Sequence, residues 1–215
     1  MSDPIHANPE TIREYFDTHY LTIAAVAAKS GVTSARVLEL QDAGCIPAHT
    51  HEWREETVVN GVFGEFRFPG KTIRFYHPSV VDWIRQTAAY EDLPLTELSK
   101  KMYERFGEEL VAAIAGREPP WPDPVNYAWA YILDGTWGAC LQEIKPSAML
   151  AKEYARKAIR DIRSENRSPT KSERVKLKKL IDGYESVAMP FAPHEIPTCS
   201  RTTEIEPAIA DWNIQ

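Results

Sequence analysis

The spacing of apolar residues changes along the chain, and each change predicts an element. Residues 1 to about 10 are polar and carry Pro4 and Pro9, which predicts a loose arm. Residues 10–19 set Ile12, Tyr15 and Phe16 at helical spacing, so a short amphipathic helix is expected. Thr22 is a good N-cap for a helix whose apolar face is Ile23, Val26 and Ala27 and which ends at Gly31. Ser34 starts a second helix carrying Val37, Leu38 and Leu40, closed by Gly44 and Pro47. Two short helices joined by a glycine turn predict a helix-turn-helix. Over residues 57–76 the period falls to two, with Val58, Val59, Val62, Phe63, Phe66, Phe68, Ile73, Phe75 and Tyr76 among glycines. Two or three short strands are expected there, with Pro69-Gly70 as the hairpin turn.

Helical spacing then returns. Residues 80–90 predict a helix with Trp83 and Ile84 inward and Ser79 as its cap. Residues 95–114 read as one long helix with Leu98, Met102, Phe106, Leu110, Val111 and Ile114 on a stripe. A proline-rich connector at 118–124 leads to an aromatic helix at 125–134, a turn at 135–138, and helices at 146–164 and 169–189. Residues 190–215 are expected to be irregular and to pack over the body. The fold class is α+β, mostly α. Residues 1–90 form a winged helix-turn-helix-like scaffold with a small antiparallel β-hairpin or sheet. Residues 91–215 form a helical domain with an irregular C-terminal segment, and the two pack as one unit.

Composition narrows the function classes. The chain has 215 residues, 43% hydrophobic and 26% charged, as in ordinary globular proteins. No stretch of ~18 apolar residues predicts a membrane span. A polar N-terminus and three widely spaced cysteines (Cys45, Cys140, Cys199) lead us to expect a reducing cytoplasm. The net charge of -6 argues against nucleic acid as the main partner. Six tryptophans suggest aromatic-lined cores or pockets.

The helix-turn-helix, the hairpin and the run from Tyr76 to Trp83 together resemble the winged helix-turn-helix of MerR-type regulators, whose second helix enters the major groove. Here that helix offers Arg36 but also Glu39 and Asp42. Residues 1–90 hold eight Lys+Arg against eleven Asp+Glu, where phosphate contacts need cations. The motif is therefore read as scaffold, and a DNA-binding regulator with an aromatic effector pocket is the rival class.

Other chemistry is sparse. His49-Thr-His51 beside Glu52, Glu55 and Glu56 could share a metal on a strand face. No third ligand has convincing spacing, so these are read as surface histidines and no metal is expected. Without a nucleophile elbow, Walker loop or dinucleotide-binding glycine turn, no cofactor is expected either. Glu97, between Leu95 and Leu98, complements the helix dipole at the start of the long helix. Facing an aromatic pocket, it would instead be a neutralised carboxyl able to act as general acid and base. Arg74 and His77 are the nearest polar groups that could hold an acidic substrate. His194, Ser200 and Arg201, in the polar, proline-rich run 190–201, order that segment or line a site.

Several separated blocks share one further resemblance. They are Tyr20-Leu-Thr-Ile-Ala, Phe75-Tyr-His-Pro-Ser79, Asp134-Gly-Thr-Trp-Gly138, Ala151-Lys-Glu153, and Phe191-Ala-Pro-His194 with Ser200-Arg201. Their order and spacing resemble a family of small bacterial natural-product biosynthesis proteins that includes the β-carboline-forming Pictet–Spengler enzymes. The resemblance spans nearly the whole chain. It implies a homodimer that condenses L-tryptophan with an α-keto aldehyde such as oxaloacetaldehyde, in alkaloid biosynthesis. It implies Glu97 as catalytic acid/base, and an arginine and a histidine at the aldehyde pocket, for which Arg74 and His77 are the candidates. Thr72 and Thr87 flank the same region and are further candidates to line it, as is Trp137 within its block.

Overall fold

A computed structural model describes residues 8–214, and the start of the expected N-terminal arm lies outside the described residues. The fold is α+β and mostly helical, as the residue pattern predicts. Helix α1 (Pro9–His19) is opened by Asn8, whose side chain accepts from the Glu10 amide, and it buries Phe16. The two-residue strand β1 (Leu21–Thr22) leads into α2 (Ile23–Ser30), capped by Thr22 and ended by Gly31 at φ 75°. Helix α3 (Ser34–Asp42) follows, capped by the Thr33 hydroxyl. This is the expected helix-turn-helix.

Strands β2 (His51–Gly61) and β3 (Gly64–Tyr76) form a long antiparallel hairpin. The end of β3 also pairs with β1, through Leu21 opposite Tyr76 and Thr22 opposite Phe75, giving the order β1-β3-β2. The turn lies at Val62-Phe63, between Gly61 and Gly64, and not at Pro69-Gly70. Pro69 and Gly70 instead sit inside β3, opposite a register shift between Arg54 and Glu56. A bulge tolerates the missing proline N–H and brings the backbone at Glu55 close to Gly70.

Helix α4 (Val80–Thr87) continues as a 3₁₀ turn through Tyr90. Ser79 does not cap it; its hydroxyl accepts from the Ile144 amide, tying the helix start to the second half. Helix α5 (Leu95–Ile114) buries Leu98, Met102, Phe106, Leu110 and Ile114, whereas Val111 turns outward. Position 111 is one step off the i, i+4 row, so its side chain leaves the stripe. Helix α6 (Pro124–Leu133) follows. The expected turn at 135–138 becomes the single-turn helix α7 (Thr136–Cys140), begun by Gly135 at φ 83°. Helices α8 (Pro146–Ser164) and α9 (Lys171–Val187) pack against each other, α9 starting on a Thr170/Glu173 capping box. The C-terminal segment is less irregular than its prolines suggest. A π turn (Arg201–Ile205) runs into α10 (Glu206–Trp212), with Pro207 in the first turn, where its missing N–H costs nothing.

The main core is continuous from Val26 to Leu150, so the two halves share one interior. Ile159, Ile181, Ile205 and Trp212 belong to a second cluster that joins α8, α9 and α10. Phe16, Tyr20, Phe75, Met189 and Ala192 form a third, where the C-terminal segment folds back on α1 and the sheet. Among the described residues no helix is long and apolar enough to cross a membrane.

Candidate functional site

Three of the five sequence blocks meet directly, the other two meet each other, and Ala192 shares a core cluster with Tyr20 and Phe75. Tyr20 donates its phenol to the Gly138 carbonyl at 3.1 Å. Gly138 is required by that contact zone, because a Cβ there would overlap Thr50 Oγ1 and lie 3.2 Å from the His77 Cβ. Gly135 packs equally closely on the His49 carbonyl. The Tyr20 and His77 rings lie 6.3 Å apart, edge to face. Phe191 is bracketed by two cations, with Lys152 Nζ 5.4 Å and the Arg201 guanidinium 5.7 Å from its ring centroid.

His77 is the buried polar group at the centre of this region, 1% exposed. Its Nδ1 accepts from the Ser79 amide at 3.1 Å. Burial holds the imidazole neutral and lowers its pKa to about 4, against a smaller opposing effect of a hydrogen bond to Leu141. An open cleft of about 470 Å³ lies beside it, lined by Thr18, His19, His77, Pro78, Gln142, Met189 and Pro190. That volume falls within the range of small-molecule sites.

The other candidates are dispersed. Arg74 is half-exposed on β3 and pairs with Glu52 at 3.3 Å. Thr72 is exposed on the hairpin, opposite Arg54. Thr87 is buried and donates to the Ile84 carbonyl within its own helix. Trp137 is a core residue whose indole N–H donates to the Ala128 carbonyl. Glu97 stands exposed in the first turn of α5, with no side-chain hydrogen bond or ion pair to any described residue. In the isolated chain it therefore has the position of a dipole-complementing carboxylate, and no aromatic pocket encloses it.

Along the C-terminal segment, the Ser200 hydroxyl shares a hydrogen bond with the Tyr184 phenol at 2.8 Å, and Arg201 forks onto Glu185. Both order the segment. Lys152 is 2% exposed and has no anionic partner among the described residues; the Tyr184 and Phe191 rings take its charge. Glu153, equally buried, accepts from Arg156 at 2.7 Å. Neither buried charge is a site candidate from sequence, where Ala151-Lys-Glu153 enters only as one block of the family resemblance.

A second constellation lies across the third core cluster. His51 Nε2 is 2.9 Å from Glu195 Oε1, and His194 adds a ring nitrogen, so that one ligand atom from each falls within 4.8 Å of the others. Burial, the largest single effect, would raise the Glu195 carboxyl, but the His51 hydrogen bond, the charges of His51 and His194 and the Ala192 amide together outweigh it and hold the group below the ordinary range. His49 turns elsewhere, to Gln41. His51 thus meets not His49 but His194 and Glu195, the latter 144 residues downstream. Only the tertiary fold could reveal it.

Residues 122–213, which hold α6 to α10, match a family of unknown function, DUF6058. No curated protein and no solved structure matches the chain.

Proposed function

We propose that the protein is a Pictet–Spengler-type condensing enzyme that joins L-tryptophan to a small α-keto aldehyde and cyclises the product toward a β-carboline. The observation that carries this reading is the convergence of the five blocks that resemble that family. They are scattered over some 180 residues of sequence, yet Tyr20, His77 and Gly138 meet directly, Lys152 and Arg201 meet at Phe191, and Ala192 shares a core cluster with Tyr20 and Phe75. Glu97 is the acid/base in this reading; it does not line the cleft beside His77, so that cleft serves as the substrate site only across a dimer.

The chemistry suits a site without a nucleophile. The amine and aldehyde condense to an imine, protonation gives an iminium, and the indole ring attacks it. A base then removes the ring proton and restores aromaticity. One carboxyl can give a proton early and take one late, an effect worth about 10²–10⁴-fold. Holding the indole over the iminium adds the proximity term. The exposed Glu97 needs cover to work this way, and the homodimer implied by the resemblance is the source of cover in this proposal.

Incubating the protein with L-tryptophan and an α-keto aldehyde should yield a tetrahydro-β-carboline with the mass of the two substrates less one water, which becomes a fluorescent β-carboline once dioxygen oxidises the new ring. Glu97→Gln should abolish turnover and leave the circular dichroism unchanged. No product from the wild type overturns the reaction, and full activity of Glu97→Gln overturns the assignment of the base.

The rival reading, a DNA-binding regulator, is disfavoured by the ion pairs of the N-terminal half. Six of its eight Lys and Arg are engaged with carboxylates: Arg13, Arg36, Arg54, Arg67, Arg74 and Arg85. Little free positive charge is left to displace counterions from phosphate.

A further inference from the structure

We propose that His51, His194 and Glu195 form a binding site for a borderline divalent transition-metal cation of the Zn²⁺ class. The proposal rests on these three side chains alone and is independent of the condensing activity. Two imidazoles and one carboxylate are the donor set that such ions prefer over Mg²⁺ or Ca²⁺, which favour oxygen.

Three observations point to a ligand. First, the donor atoms already lie within 4.8 Å of one another. Metal–ligand distances of about 2.0–2.2 Å put donors roughly 3–3.5 Å apart, so the site closes by a small movement of one side chain. His194 is exposed on a turn and is free to make it. Second, the His51 side chain is only 9% exposed, and its Nδ1 is buried without a hydrogen-bond partner. Among the described residues the ring is thus held through Nε2 alone, by Glu195. Third, the carboxylate is already oriented. Glu195 Oε2 accepts from the Ala192 amide at 3.3 Å, which leaves Oε1 turned to His51. Fixing a ligating carboxylate through its second oxygen is typical support for a metal site.

The surroundings favour a definite geometry. The Phe16 and Tyr20 rings stand 4.6 and 4.8 Å from the His51 ring and wall the inner side of the site. The outer side opens through His194 to solvent. With three protein donors, a fourth position is left for water or a small ligand, as in zinc sites that do chemistry. The ion would also clip the C-terminal segment to the first residue of β2.

The test uses tag-free full-length protein, stripped with chelator and desalted. Titration with ZnCl₂ by calorimetry should show one ion per chain, and Co²⁺ should give visible d–d absorption. His194→Ala, at an exposed position, should weaken binding by at least about 10–100-fold while the circular dichroism stays unchanged. Glu195→Gln should do the same, and His19→Ala, on α1 outside the cluster, should not. Absence of stoichiometric uptake, or uptake that survives both His194→Ala and Glu195→Gln, overturns the site.

Discussion

The Tyr20 phenol reaches the Gly138 carbonyl, 118 residues away, and so fastens the start of the helix-turn-helix to α7. Burial pushes this phenol well above the ordinary tyrosine range, so it stays a neutral donor. Tyr20→Phe keeps the ring and removes the donor. A buried carbonyl left without its partner costs about 1–3 kcal/mol. Urea unfolding should show a lowered midpoint with an unchanged slope. An unaltered midpoint would mean that water replaces the phenol.

Two glycines should respond in opposite ways to the same substitution. At Gly138 an added methyl group would overlap Thr50 Oγ1, on a short side chain that cannot swing away. Gly138→Ala should destabilise by roughly 1–3 kcal/mol through overpacking. Gly183 lies within α9, where an added methyl group would meet nothing within 4 Å, so Gly183→Ala should stabilise by about 0.5–1 kcal/mol. Thermal unfolding of both variants checks the pair, and a loss at Gly183 would overturn the account of that position.

The contrast between local and long-range signals explains what the sequence reveals. The Thr22 and Gly31 ends of α2, and the full extent of α5, follow from capping residues and 3.6-residue spacing, which are local. Pro69-Gly70 misleads because a bulge can absorb a turn-forming pair when the partner strand continues past it. The site residues divide the same way. Glu97 is legible as a first-turn carboxylate, but its exposure is set by which elements flank α5. His51 gives no sign in sequence that Glu195 will meet it, because the contact is made by the return of the C-terminal segment.

His77 makes stability depend on pH. Its folded pKa, about 4, lies below the ordinary histidine value near 6.5, so the unfolded chain binds its proton first. The neutral ring's contribution is complete above pH ~6.5. It is lost as the pH falls from there toward 4, to a total of about 3 kcal/mol. His77→Phe should flatten this part of the profile relative to the wild type, while the carboxylate contribution at lower pH remains. Denaturant unfolding at about pH 7.5, 6 and 5 on both proteins measures it; parallel profiles would refute a neutral buried imidazole.

The hairpin has two unlike faces. Cross-strand pairing puts Thr57 opposite Phe68 and Val59 opposite Phe66 on one face, and Val58 opposite Arg67 and Asn60 opposite Glu65 on the other. The first face is apolar and uncovered, and at the tip Val62 and Phe63 are 95% and 91% exposed. Side chains this exposed contribute little to folding, so Val62→Ser with Phe63→Ser should shift stability by no more than about 0.5 kcal/mol. The same change removes apolar surface from a ribbon whose outer edge, along β2, is unpaired among the described residues, and such edges template association. Light scattering on concentrated protein should therefore fall in the double variant while the unfolding midpoint holds. A midpoint that drops by several degrees would overturn the account of the tip as free of the body.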